Sequence, residues 1–345
     1  MIEFISALEK ITNDSLIRFS TNQTPSNEIR KINMFGLIKL LETAMGNSFR
    51  IEIVWEYLIE HFKFLTTQLP IKILSIRAIS FLIIGIFNYR KTAPSVIEWQ
   101  VTVLNPLYEL TQSEDTEVIN EMIANLLTII ENCSSLINDK GWNLCLNIMS
   151  KVITAGNAED NVVEKVFKCI QYTCNNLLNV VNESNIELLI SIVCSLTLLN
   201  NTSLPIISLF ELIVEHISTT PHNDHTLIHL LSKVKEIGSN EKAQLRQVAY
   251  TLLEKVVVKH VDNVTIVVWN YVINDLIEQL LQYTRTKYSI QVKKNSSDKF
   301  KPIKEAVNIW EDSMISLCSI TLSILQQLNN IPEYFTLLNL IELKN

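Results

Sequence analysis

The residues best spaced for metal chemistry are the histidines in Pro221-His222-Asn223-Asp224-His225-Thr226-Leu227-Ile228-His229. His225 and His229 are four apart and would share a helix face, with His222 one turn earlier. A zinc site needs three or four converging ligands and a supporting outer shell, and no distant Cys/His pair completes this set. Asp224 and His222 read better as polar residues opening a helix, so no metal site is expected. The paired acids Glu114/Asp115 and Glu159/Asp160 precede apolar runs, where carboxylates complement the positive end of a helix rather than perform acid–base work. No G-x-S-x-G elbow, H-E-x-x-H, P-loop or kinase-like catalytic loop occurs. Six glycines in 345 residues leave little material for phosphate-cradling loops. The chain therefore reads as not an enzyme, with no catalytic or cofactor-binding residue, no cofactor and no small-molecule substrate.

Cys133, Cys145, Cys169, Cys174, Cys194 and Cys318 lie in helical segments without a C-x-x-C pair. They read as buried, reduced thiols acting as small hydrophobes in a reducing compartment. The net charge of −7 argues against bulk nucleic-acid binding, because a phosphate-tracking surface needs surplus Lys and Arg. One segment runs against this balance. From Thr284 to Lys304 the chain carries Arg285, Lys287, Lys293, Lys294, Lys299, Lys301 and Lys304 against Asp298 alone. It reads first as a solvated, flexible insertion between helices; the sharper reading is contact with an anionic membrane surface.

The elements that must position these residues are helices. Ile119, Met122, Ile123, Leu126, Leu127 and Ile130 recur at helix spacing, as do Ile206, Leu209, Phe210, Ile213 and Ile217. An apolar fraction of 48% is enough for a large core. About fifteen helices are expected, punctuated by Pro25, Pro70, Pro94 and Pro205 near helix starts. Gly46 and Gly238 read as left-handed C-terminal caps, and Ser184 with Glu187 as a capping box. The five tryptophans, Trp55, Trp99, Trp142, Trp269 and Trp310, read as inter-helix packing residues. The run Ile71–Phe87 is interrupted by Lys72 and Arg77, so it reads as a buried core helix rather than a membrane span. The N-terminus mixes Glu3, Glu9 and Lys10 with apolar residues, as an amphipathic helix does and a secretory signal does not.

A weak repeat accompanies the helices. Leu245-Arg246-Gln247-Val248-Ala249, followed by Leu252 and Leu253, fits the core of a HEAT-type helix; Ile76-Arg77 with Ser80 and Ile84 fits the same template. Ile29-Arg30 with Leu37 fits less well, and Arg30 and Arg77 are 47 residues apart, at the period of HEAT or armadillo units. The expected fold is all-α, an α-solenoid of armadillo/HEAT-like repeats. Residues 1–283 would form the solenoid, 284–304 the basic flexible insertion, and 305–345 a continuation of the helical repeats.

A family resemblance rests on several of these stretches. Met34-Phe35-Gly36-Leu37-Ile38-Lys39-Leu40-Leu41-Glu42-Thr43, then Arg50-Ile51-Glu52-Ile53-Val54-Trp55 and His61-Phe62, resembles the helical region downstream of the catalytic Sec-seven domain in large ARF exchange factors. It is most similar to their non-catalytic relatives, the Mon-two (monensin-sensitivity) family. Leu104-Asn105-Pro106-Leu107-Tyr108-Glu109-Leu110, Gly141-Trp142, Val166-Phe167 with Gln171, Leu231–Glu236, Arg246, Trp269 and Trp310 continue the resemblance in order, over about Met34 to Leu325. It implies a non-enzymatic scaffold in Golgi–endosome traffic and protein transport, cytoplasmic and peripheral on trans-Golgi and endosomal membranes. Dopey-type proteins and ARF-family GTPases would be its partners. The exchange factors' F-R-L-P-G-E loop with its glutamate finger is absent, so exchange activity is not expected. Members of the family are much longer, so the resemblance also implies a piece of a longer protein. The alternatives are the regulatory helical region of an active exchange factor, and another HEAT-repeat adaptor such as a nuclear transport receptor.

Overall fold

Apolar residues at helical spacing must bury one face, and a single helix pair cannot do so alone. The computed structural model describes residues 2–21, 35–68, 71–90, 99–155, 159–199, 206–219, 224–258, 264–297 and 304–329. Among them there is no strand. The helices are α1 (Ile2–Thr21), α2 (Phe35–Gly46), α3 (Ile51–Thr66), α4 (Lys72–Arg90), α5 (Trp99–Leu110), α6 (Thr116–Cys133), α7 (Asp139–Thr154), α8 (Asp160–Asn176) and α9 (Glu183–Leu198). They continue with α10 (Ile206–Thr219), α11 (Asp224–Gly238), α12 (Ala243–Val258), α13 (Ile266–Tyr271), α14 (Glu278–Ser297) and α15 (Lys304–Asn329), with a π-helical stretch at Val272–Ile277. The fold is an all-α stack of helical repeats.

The chain divides into two compact units, Met1–Asn185 and Ile186–Asn345. In the first unit each helix packs on the next but one: α3 on α5, α5 on α7, α4 on α6, α6 on α8. Side chains bridge these steps at the repeat period. Trp55 bonds Thr102, Lys72 bonds Asp115, Arg77 bonds Glu121, Lys165 bonds the Asn120 carbonyl, and Asn185 bonds the Asp139 carbonyl, at separations of 43–47 residues. In the second unit α10 packs on α12, α12 on α15, and α11 on α12 and α13.

Local chemistry starts these helices as anticipated at Asp115, whose carboxylate caps α6 by accepting from the Glu117 N–H. Asn138 caps α7 by accepting from Gly141 N–H, and buried Gln100 clamps the same turn by accepting from Asn138 N–H and donating to the Leu136 carbonyl. Gly141 permits that approach: a Cβ there would meet Gln100 Oε1 at 2.8 Å. Glu159 precedes α8 without a side-chain capping bond.

Gly46 and Gly238 do end α2 and α11, but neither has a left-handed φ. Gly238 is there for space, since a Cβ would sit 3.0 Å from Leu280 Cδ2 and 3.3 Å from Ala249 Cβ. The four helix-start prolines fall outside the described residues, as does Arg30.

By length and apolarity alone α4 could cross a membrane, yet half of its most apolar window is buried in the protein. Ile76, Ile79, Leu82, Ile83, Ile86 and Phe87 are all buried, and the helix packs on α3 and α6. The two arginines matched to the HEAT template differ in role. Arg77 is exposed and pairs with Glu121 at 2.6 Å. Arg246 has no exposed surface: it donates to the carbonyls of Asn240 and Glu241 and to Ser313 Oγ, and its guanidinium lies 3.7 Å from the centre of the Trp310 ring.

Candidate functional site

Two of the stretches that carry the family resemblance face each other in the first unit. Trp55, Glu56, Ile59, Glu60 and Lys63 of α3 meet Trp99, Thr102, Val103, Asn105, Pro106 and Glu109 of α5 around a cleft of about 480 Å³. Its geometry follows from Pro106. A proline inside a helix supplies no N–H to the carbonyl four residues earlier, here Thr102. The Trp55 indole fills the vacancy: its Nε1–H donates to the Thr102 carbonyl at 3.2 Å, joining α3 to α5 across the floor. Trp99 closes one end, edge-on to Phe87 at 4.9 Å and under the Arg90 guanidinium at 5.3 Å.

The rim is acidic. Glu109 is satisfied by Asn105 Nδ2 and by an ion pair with Lys63. That pairing neutralises the one lysine among the described lining residues and leaves Glu56 and Glu60 exposed. Glu60 is felt as far as α1, where burial and its negative charge together raise the pKa of Glu9. Next to Glu60 on α3, His61 is buried without a hydrogen-bond partner for Nε2, and desolvation lowers its pKa to about 4. The arrangement offers apolar surface, open helix edges and two exposed carboxylates, and among its described lining residues there is no nucleophile–base pair.

The two described histidines of the cluster are engaged between helices. His225 Nδ1 meets Glu187 Oε1 at 2.6 Å, Thr226 donates to the same oxygen, and His229 Nε2 meets Ser191 Oγ at 2.9 Å. These bonds tie α11 to α9 within the second unit. Glu187 is therefore engaged across helices rather than in a capping box; Asn182 caps α9 by accepting from Asn185 N–H. His222 lies outside the described residues, and among those described no group of three potential metal ligands converges.

Three of the seven basic residues, Arg285, Lys287 and Lys293, have described side chains. Thr284–Ser297, expected within a flexible insertion, belongs to α14. Arg285 and Lys293 are exposed on it. Lys287 instead pairs with Glu241 at 2.8 Å and lies over the Tyr283 ring, because the start of the α12 repeat places a carboxylate opposite it. Lys294 is on α14 and Lys304 opens α15, both with side chains outside the described set; Lys299 and Lys301 are outside it altogether.

Five cysteines are buried and free, and desolvation raises Cys133 to about 11 and Cys145, Cys169, Cys174 and Cys194 to about 12. Cys318 departs from expectation, being exposed on α15. Trp55, Trp99, Trp142 and Trp269 are buried packing residues, and Trp310 is half-buried against Arg246 and Tyr283. Sequence reading missed the cleft itself. The available signal was Pro106 inside an apolar-periodic run, four residues after a threonine.

Comparison with known proteins bears on the same region. Residues 89–172, from the end of α4 into α8, match the family model described as Sec7-like HDS, Mon2/Sec7/BIG1-like. The Protein MON2 homolog of Drosophila melanogaster is 25% identical over 180 residues, 51% of this chain and 10% of that protein. The human Protein MON2 homolog is 24% identical over 252 residues, 70% of this chain and 14% of that protein. The chain thus corresponds to a small part of the length of either relative. A solved structure from the computational design of self-assembling cyclic homooligomers covers 95% of both chains, but at 13% identity and a TM-score of 0.20 it carries no argument. The chain is thus similar to the Sec7-like HDS family over residues 89–172 and, over longer stretches, to the two MON2 homologues.

Proposed function

We propose that this chain is a non-enzymatic scaffold segment in Golgi–endosome membrane trafficking and protein transport, binding partner proteins through its stacked helices. The observation that carries the reading is the α3–α5 cleft. It is built by helices bearing the resemblance, remains open, and presents carboxylates and apolar edges. An open helical ridge of this kind suits protein binding, since each repeat adds surface beside the last. Dopey-type proteins and ARF-family GTPases are the proposed partners. The proposed location is the cytoplasmic face of trans-Golgi and endosomal membranes, with the chain held peripherally. Arg285 and Lys293, together with Lys294, Lys299, Lys301 and Lys304, are the proposed contact with anionic lipid. The test is proximity labelling by the tagged chain in cells, beside imaging against Golgi and endosome markers. Labelling of Dopey-type or ARF-cycle proteins at those membranes is expected. Labelling confined to nuclear transport factors would sink the trafficking assignment.

A further inference from the structure

Beside the cleft, α3 exposes an apolar stripe. Ile53, Tyr57 and Phe64 are 62%, 46% and 49% exposed. Steps of four and seven residues put all three on one side of the helix, over a length of about 16 Å at 1.5 Å per residue. Glu56 and Glu60 border that stripe on the side toward α5, and both line the cleft. Large apolar side chains left this open on one helix, rimmed by charge, mark a surface shaped for another chain.

The chemistry of the occupant follows from the charges. Lys63 is committed to Glu109 and Arg90 lies over Trp99 at one end, while Glu56 and Glu60 project beside the stripe with no ion pair among the described residues. Anionic lipid would be repelled here. A helix with an apolar stripe would be drawn in if Lys or Arg flanked one edge of it. We propose that the α3 face and the α3–α5 cleft dock an amphipathic helix of a partner protein, with apolar residues on Ile53, Tyr57 and Phe64 and basic residues against Glu56 and Glu60. Three turns of that helix match the stripe, and a bulky side chain at its edge enters the cleft beside Thr102 and Pro106. This rests on the scaffold reading above and specifies the partner that the ridge accepts.

The full chain is titrated with a labelled synthetic amphipathic helix carrying a leucine stripe flanked by lysines, and with its counterpart flanked by glutamates. Binding of the lysine peptide alone is expected. Glu56→Lys/Glu60→Lys should weaken it by about tenfold or more and admit the glutamate peptide. Ile53→Asp should abolish both interactions. These positions are exposed, and unchanged helicity by circular dichroism confirms that each variant is folded. Equal binding of the two peptides, or binding indifferent to both variants, overturns the proposal. So does phosphatidylserine-vesicle binding that Ile53→Asp removes. Peptide binding with no trafficking partner labelled in cells leaves the docking face standing and removes the trafficking reading. Labelling of Dopey-type or ARF-cycle proteins that survives Ile53→Asp does the reverse.

Discussion

Replacing Trp55 with phenylalanine should uncouple α3 from α5 through one hydrogen bond. The indole Nε1–H donates to Thr102 O at 3.2 Å, and Pro106 leaves that carbonyl without its helical donor. Phenylalanine keeps most of the apolar volume of a side chain only 4% exposed, so the main loss is the donor. Stranding a partly buried carbonyl costs about 1–3 kcal/mol. Hydrogen exchange of the α5 amides should accelerate by about five- to thirtyfold for a loss of 1–2 kcal/mol. In a Pro106→Ala background the residue-106 N–H returns to Thr102 O, so the same Trp55→Phe change should cost much less. The double-mutant cycle, read by exchange mass spectrometry over Trp99–Leu110 and by urea unfolding, should show coupling of about 1 kcal/mol. Equal costs of Trp55→Phe in both backgrounds would refute the argument, because the donor would then have no special place above a proline.

Four further outcomes follow from the same geometry. His61 is held neutral with a pKa near 4, against 6.5 for an ordinary histidine, so the unfolded chain binds the proton first. Its contribution is complete above pH 6.5 and lost as pH falls toward 4, by about 3 kcal/mol at about 1.4 kcal/mol per pH unit; His61→Leu should flatten that part of the pH–stability curve, and an unchanged slope would count against burial of the neutral ring. Arg246→Met should cost about 3 kcal/mol in urea unfolding by removing its bonds to Asn240, Glu241 and Ser313 and its stacking on Trp310, without rescue by lysine; a cost below 1 kcal/mol would contradict its structural role. Of the six cysteines, Cys318 alone should react promptly with a thiol reagent in the native chain, with the other five following only in denaturant. Arg285→Glu/Lys293→Glu should weaken flotation with anionic vesicles if α14 meets lipid, whereas Lys287→Glu should act mainly on stability through the lost pair with Glu241.

Local and periodic features were the most legible in the sequence. The apolar spacing in α6 and α10, the Asp115 cap and the packing role of most tryptophans depend on near neighbours or on a helical period. What escaped depends on residues that arrive from other helices. Glu187 looked like a capping partner of Ser184, but His225 and Thr226 arrive from α11 to take its carboxylate. Gly238 looked like a left-handed cap, yet Leu280 and Ala249 are what exclude a side chain there. The basic stretch after Thr284 lacks apolar periodicity, and it is helical because α14 carries on from a segment packed on α15. The cleft was invisible for the same reason: its parts lie in two recognisable segments, while the bond joining them spans 47 residues.

The most direct test of the central claim is quantitative affinity capture from cells with the wild-type chain, Ile53→Asp and Arg285→Glu in parallel. The account predicts that the wild type recovers Dopey-type or ARF-cycle proteins. Ile53→Asp should lose them, while Arg285→Glu, on a different helix, should retain them. Recovery of the same proteins by all three chains would contradict the placement of partner binding on the α3 face. Recovery of none of these proteins by the wild type would contradict the scaffold assignment itself.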